Sequence, residues 1–286
     1  MVAFRPLACG CHAHSAEGSL DGGSLVKKLV KRAKELGRPA ISLTDHGQMS
    51  SLATLWEEAK KAGIMPIHGI EIYLDSPWDE KKVLKNGIIE PTTRHMTVLF
   101  KTQKAYEYFC KLTPVAHERA IIRYGDLKPI ITIEELKAIG DDICLGSGCF
   151  GSAVAKTLMN SGPEAAERVY QEVRDIVKPG CFFVEIMPHI LDSTWVRPQV
   201  DYATKTILKD GFFKPNDLDD CGLPIDFQKP VNEFMVQMGL KYKDRIIISE
   251  DSHLSERNDK AIQDLRLGDN WRFSCAYSME PTEVWA

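Results

Sequence analysis

Short β-branched runs alternate with amphipathic stretches along this chain, and that alternation restricts the fold more than any other property of the sequence. Strands are predicted at residues 5–11, 40–44, 65–74, 95–100, 142–146, 182–187 and 245–249. Between them lie helical patterns at 24–36, 52–62, 103–112, 133–139, 153–160, 164–177, 199–209 and 231–238. Strands separated by helices predict a parallel sheet, open or closed into a barrel, because a parallel pair needs a long crossover and a helix usually supplies it. A length of 286 residues suits one α/β barrel with insertions. The stretch from about 190 to 230 includes a segment rich in Pro, Gly and Asp with no period, so it reads as an insertion or long loop on the barrel rim.

Residue types that bind metals recur where these strands end, which is where parallel barrels carry their sites. The first strand runs into His12-Ala13-His14 and the last into Asp251-Ser252-His253. Side chains two apart on a strand share a face. His12 and His14 therefore lie with the small residues Ala8 and Gly10, His46 with Ala40, Ser42 and Thr44, and Glu71 with Gly69. Small residues beneath a ligand suit a narrow barrel interior. The same parity turns Cys9, Cys11, His68 and Asp45 toward the helix-covered outside, where packing is the simpler account. Three further candidates are Asp21, His95 at the start of the fourth strand, and Cys149 after the fifth. Imidazoles, carboxylates and one thiolate suit Zn, Mn or Fe better than Mg or Ca. His12, His14, Asp21, His46, Glu71, His95, Cys149, Asp251 and His253 are too many for one tetrahedral ion, so two or three divalent metal ions are expected.

Composition narrows the classes. A net charge of −4 gives no basic footprint of a dedicated duplex-DNA binder, though bound cations would add positive charge at a phosphate site. No apolar run is long enough for a transmembrane helix, and the first residues lack a secretory pattern, so a cytoplasmic location is expected. The 8 cysteines are scattered, and most are expected to be reduced packing residues.

With those residues in place, the pattern resembles the PHP (polymerase and histidinol phosphatase) domain of bacterial C-family DNA polymerase III α subunits. The matching stretches are His12-x-His14-Ser15, Ser19-Leu20-Asp21-Gly22, Thr44-Asp45-His46-Gly47, Gly69-Ile70-Glu71-Ile72-Tyr73, His95, Ser147-Gly148-Cys149, Phe183-Val184-Glu185-Ile186 with His189 beyond, and Asp251-Ser252-His253-Leu254. The resemblance implies a distorted (β/α)7 barrel spanning the chain as one domain. It implies one metal on His12, His14, Glu71 and Asp251, a second on Glu71, His95 and Cys149, and a third on Asp21, His46 and His253. It also implies phosphoester hydrolysis, with a 3′→5′ exonuclease of proofreading type as the leading expectation. A structural module bracing a replicase and a phosphatase of small monoesters are the alternatives. Asp251, Glu71 and His14 are expected to carry the chemistry, Glu185 and His189 to serve as general acid or substrate contact, and Asp45 to orient a ligand histidine. Expected partners are single-stranded DNA or a primer 3′ end, and a DNA polymerase or other replication protein; no membrane is expected. No polymerase palm is expected in this chain, which reads as an excised domain or as a separately encoded protein such as one from a phage.

Overall fold

The computed structural model describes residues 10–19, 21–79, 81–83, 87, 89–123, 126–188, 199–201, 206–209, 228–256 and 259. Strands β1 (Ala40–Leu43), β2 (Met65–Asp75), β3 (Thr93–Phe100), β4 (Ile130–Ile131), β5 (Ile143–Gly146), β6 (Phe182–Ile186) and β7 (Arg245–Ile248) form one seven-stranded sheet. Their order is β1-β2-β3-β5-β6-β7, with β4 pairing with the far end of β2. The sheet is mixed, not parallel as expected, because β3 runs antiparallel to both β2 and β5. Among the described residues no crossover helix lies between β2 and β3, and the chain returns in the opposite direction. That reversal positions the site. His95, near the start of β3, pairs with Tyr73 near the end of β2, and so lies at the end of the sheet where the parallel strands finish.

Residues 10–14 close the ring. Gly10 bridges Ile41 and Ala13 bridges Ser252, both in parallel sense. Thr44 N donates to Ala13 O at 2.9 Å on one side, and His14 N donates to Ser252 O at 2.8 Å on the other. This segment is the stave between β1 and the continuation of β7, completing a distorted (β/α)7 barrel. Only Gly10 and Cys11 of the predicted first strand fall within the described residues.

Helices cover the outside. α1 (Val26–Glu35) buries Val26, Leu29, Val30 and Ala33, and α2 (Leu52–Ala62) buries Leu52, Leu55 and Ala59, the spacing of one helical face. Both pack on Ile41 and Leu43 of β1. Leu29 and Leu55 are fully buried, each contributing about 2 kcal/mol. The larger core joins Ile70, Ile72, Met96, Val98, Leu145 and Val184 on the sheet to α3 (Gln103–Glu118), α4 (Ile133–Lys137), α5 (Ala153–Ser161), α6 (Pro163–Arg174) and α7 (Gln228–Tyr242). α3 runs past the predicted end at 112, through Pro114. Pro114 and Cys110 are exposed, so the carbonyl that Pro114 cannot engage faces water, while Ala116 gains burial. The predicted helix at 199–209 is instead an antiparallel pair of strands, Gln199–Asp201 with Thr206–Lys209, where β-branched Val200, Thr206 and Ile207 favour the extended form. The rest of the predicted 190–230 insertion, apart from the start of α7, lies outside the described residues. No described helix is long and apolar enough to cross a membrane.

Arg38, between α1 and β1, makes a two-pronged pair with Glu250, NH2 to Oε1 at 2.6 Å and NH1 to Oε2 at 3.0 Å. It ties the front of the barrel to the residue before Asp251, and its side chain is only 7% exposed. Arg38→Met is expected to destabilise the protein by about 3 kcal/mol, because it leaves the Glu250 carboxylate, which also accepts from Ser252 Oγ, without its cationic partner. A urea midpoint unchanged from wild type would show that the pair adds nothing.

Candidate metal centre

Glu71 sits at the middle of the site, 1% exposed, with its two oxygens facing different neighbours. Oε1 lies 3.4 Å from His12 Nε2, 3.2 Å from His95 Nδ1 and 3.6 Å from Cys149 Sγ. Oε2 lies 3.6 Å from His14 Nε2 and 2.5 Å from His46 Nδ1. Asp251 Oδ1 faces His12 and His14 at 3.3 and 3.1 Å. Asp21 Oδ2 faces His46 at 3.0 Å and His253 at 3.4 Å. The nine predicted ligands are thus brought together. Among the described residues, three groups have donor atoms within 4.8 Å of one another: His12, His14 and Asp251; His46, Glu71 and His95; and His14, His46 and His253. These groups are not identical to the implied sets. His46 stands with Glu71 and His95, Cys149 lies 3.7 Å from His95 Nδ1, and His14 reaches into two groups.

Local structure holds each donor. Asp251 has φ 46°, a left-handed conformation uncommon for a residue with a side chain and tolerated best by Asn and Asp. Gly148 has φ 77°, and a Cβ there would lie 2.7 Å from the His95 carbonyl oxygen, so only glycine lets the Cys149 loop approach β3 so closely. Behind the donors stand hydrogen-bond partners that fix the imidazoles. His12 Nδ1 donates to Glu185 Oε2 at 3.0 Å, with Thr97 Oγ1 at 3.1 Å. His14 Nδ1 donates to Ser19 Oγ at 3.3 Å, and that hydroxyl in turn donates to Asp45 Oδ1 at 3.2 Å. Each arrangement leaves Nε2 aimed at the carboxylates, as partners behind metal-binding histidines usually do.

The electrostatics fit buried cations. Burial alone would raise the Glu71 carboxyl, but His95, His46 and His12 hold it well below the usual range. Burial opposes protonation of His12, yet Asp251, Glu185 and Glu71 raise it well above an ordinary histidine. Burial, with His46 and His253 beside it, pushes His14 down to about 3. Burial, Glu71 and Asp251 push the Cys149 thiol well up. Negative and positive side chains therefore balance one another in the interior, and a cation arriving there would displace protons from imidazole and thiol. His12 Nε2, His46 Nδ1 and Glu71 Oε2 are buried and face only other candidate ligands, Glu71 Oε2 lying 2.5 Å from His46 Nδ1, which suits a donor set meant for metal. Exposure opens the site on one side: Asp21 and His95 are 28% and 29% exposed, whereas His12, His14 and Glu71 are at most 1%.

Of the expected roles, that of Glu185 finds no support in its position, and that of Asp45 takes a specific form. Glu185 lies behind His12 with a fully buried side chain, accepting from Gly148 N at 2.9 Å, so it is removed from the open face where a general acid or substrate contact would stand. Asp45 does not touch a ligand histidine; it acts through Ser19. His189 lies outside the described residues, as does Cys9. His68 faces Trp56 and Tyr106 on the outside of the barrel. Ser19 and Tyr73 fall in the matching stretches without an expected role, and Thr97 falls in none; the Tyr73 ring stands 5.0 Å from His95 and 5.8 Å from His46. Parity on β2 and β3 could have found Tyr73 and Thr97, two positions from Glu71 and His95 respectively.

Barrel and cluster together define an α/β-barrel protein with side chains that could hold metal ions gathered at the ends of its strands. The chain belongs to the PHP domain family, whose model matches residues 10–189. It is 31% identical over 180 residues to the DNA polymerase III subunit alpha of Chlamydia pneumoniae, covering 62% of this chain and 14% of that protein. The Helicobacter pylori subunit is 31% identical over 202 residues, covering 66% of this chain and 16% of that protein. The chain therefore spans less than a fifth of the length of either relative. Among solved structures, a two-domain Bacteroides vulgatus protein containing a predicted PHP-like metal-dependent phosphoesterase matches with a TM-score of 0.42 and 18% identity, over 86% of this chain and 51% of that one.

Proposed function

We propose that the chain is a metal-dependent phosphoesterase that acts as a 3′→5′ exonuclease on single-stranded DNA or a primer 3′ end, in the company of a replicative DNA polymerase. The observation that carries the hydrolase reading is the sharing of Glu71 among His12, His14, His46, His95 and Cys149 in a buried pocket open on one side. Glu71 and Asp251 would hold divalent cations with the imidazoles of His12, His14, His46, His95 and His253, the Asp21 carboxylate and the Cys149 thiolate. Such cations, when bound, supply Lewis acidity to a phosphate oxygen and lower the pKa of water. The chain's own contribution is orientation: Glu185 and Thr97 fix His12, and Ser19 with Asp45 fixes His14. The DNA substrate and the polymerase partner are supported by the relatives, which are DNA polymerase III subunits alpha. We read the whole chain as one such domain.

The test is to incubate metal-loaded protein with end-labelled single-stranded and primer-template DNA, with and without Mn or Zn. Stepwise loss from the 3′ end is expected. In Asp251→Ala, which removes the carboxylate between His12 and His14, the rate is expected to fall by about a thousandfold. Hydrolysis of a small phosphate monoester with DNA left intact would move the protein to the phosphatase branch. Activity on neither would end the hydrolase reading.

A further inference from the structure

Lys156 stands in a place that suits a cation poorly. It lies in the first turn of α5, where the helix dipole disfavours positive charge. It is half-buried, and among the described residues no carboxylate lies within ion-pair reach of it. Its ammonium rests instead over the Phe150 ring, 3.9 Å from the centroid. Burial pushes its pKa down to about 8, with the Cys149 sulfur opposing that shift and the Arg94 guanidinium adding to it. Arg94 precedes the candidate ligand His95. One of its nitrogens pairs with Asp79, while its buried Nε makes no hydrogen bond. Phe150 follows Cys149, and His95 N bonds to Gly151 O at 3.2 Å, so the ring that carries the ammonium and the backbone that carries Arg94 both adjoin the His95–Cys149 corner, where His95 is 29% exposed.

Of these two cationic groups beside the candidate metal cluster, one has no carboxylate partner among the described residues and the other has a buried Nε without a hydrogen bond, and an anion from outside the chain would match both. We propose that Lys156, with Arg94 Nε beside it, grips a phosphate group of the substrate at the His95–Cys149 corner. This rests on the phosphoesterase reading above and adds a substrate-holding residue to it. The grip is charge-assisted hydrogen bonding to phosphate oxygens, a role for which lysine serves as a point charge and a neighbouring arginine as a directional donor. Phe150 keeps the ammonium extended until the phosphate arrives.

The test uses metal-loaded full-length chain, with bis-p-nitrophenyl phosphate as substrate and inorganic phosphate as competing anion. Lys156→Met keeps the length of the side chain and removes the charge. It is expected to lower kcat/KM by about tenfold or more, chiefly through KM, and to weaken inhibition by inorganic phosphate to a similar degree. Metal content is expected to match wild type, and the melting temperature to hold or rise, since an ill-matched cation is gone. Lys156→Arg is expected to restore most of the phosphate inhibition, which a packing role would not do. An active Lys156→Met enzyme with unchanged KM and phosphate inhibition would overturn the proposal. Phosphate binding is measured separately by calorimetry. If wild type hydrolyses nothing yet binds phosphate through Lys156, the grip stands and the hydrolase reading falls. If wild type neither hydrolyses nor binds, both fall.

Discussion

Glu71→Gln is expected to strip the centre of much of its metal and to lower phosphodiester hydrolysis by about a thousandfold, a loss of ~4 kcal/mol in transition-state stabilisation. Among the described residues, no other carboxylate faces as many candidate ligands. Its Oε1 faces His12, His95 and Cys149, and its Oε2 faces His14 and His46. Gln keeps the shape but replaces one anionic oxygen with an amide that presents hydrogens, and it removes the charge that two cation positions would share. The backbone at position 71 is held independently: its N–H bonds to Thr44 O at 3.1 Å and its carbonyl accepts from Gly47 N at 2.8 Å. The fold should therefore survive, and the defect should appear in the metal. Cys149→Ser touches one corner only and is expected to lose less metal than Glu71→Gln. Metal per chain by elemental analysis, set beside kcat/KM, checks both. Glu71→Gln protein that keeps wild-type metal and rate would refute the shared-carboxylate account.

Much of the site was legible because strand parity is a strict rule: His12 with His14, and Glu71 away from His68, follow from the two-residue period alone. The alternation of strands and helices likewise gave most elements close to their observed bounds. The direction of β3 was not legible from hydrophobicity, which is blind to strand polarity. The sign was there in His95, which opens its strand while other ligands follow theirs, and in the lack of a helical pattern at 76–93. Helix α3 exceeded its prediction because whether Pro114 breaks a helix depends on which way the freed carbonyl faces, and only packing decides that. The supporting hydroxyls were hidden for a related reason. Serine and threonine carry no periodic signal, and Ser15, Ser19 and Ser51 acquire meaning only once folding gathers them around one carboxylate.

That carboxylate belongs to Asp45, and Asp45→Ala is expected to cost about 3 kcal/mol of stability and to weaken metal affinity between about tenfold and a hundredfold. Asp45 is 1% exposed and accepts from Ser15 N at 2.6 Å, Ser15 Oγ at 2.9 Å, Ser19 Oγ at 3.2 Å and the Ser51 hydroxyl. Truncation would leave four buried donors without an acceptor and would loosen the joint between the His12–His14 segment and the start of α2. The stability loss comes from those donors. The affinity loss has a different route, because Ser19 would be free to turn, and it is Ser19 Oγ that accepts from both His14 Nδ1 and His46 N. A double-mutant cycle separates the two. Ser19→Ala should weaken metal binding by itself, and adding Asp45→Ala should weaken it little further, whereas the urea midpoints should show a further drop because Ser15 and Ser51 lose their acceptor only in the second step. Fully additive losses in metal affinity would mean that Asp45 reaches the centre by some path other than Ser19. Measured by chelator competition beside urea unfolding, the cycle distinguishes a carboxylate that merely packs from one that aims a histidine.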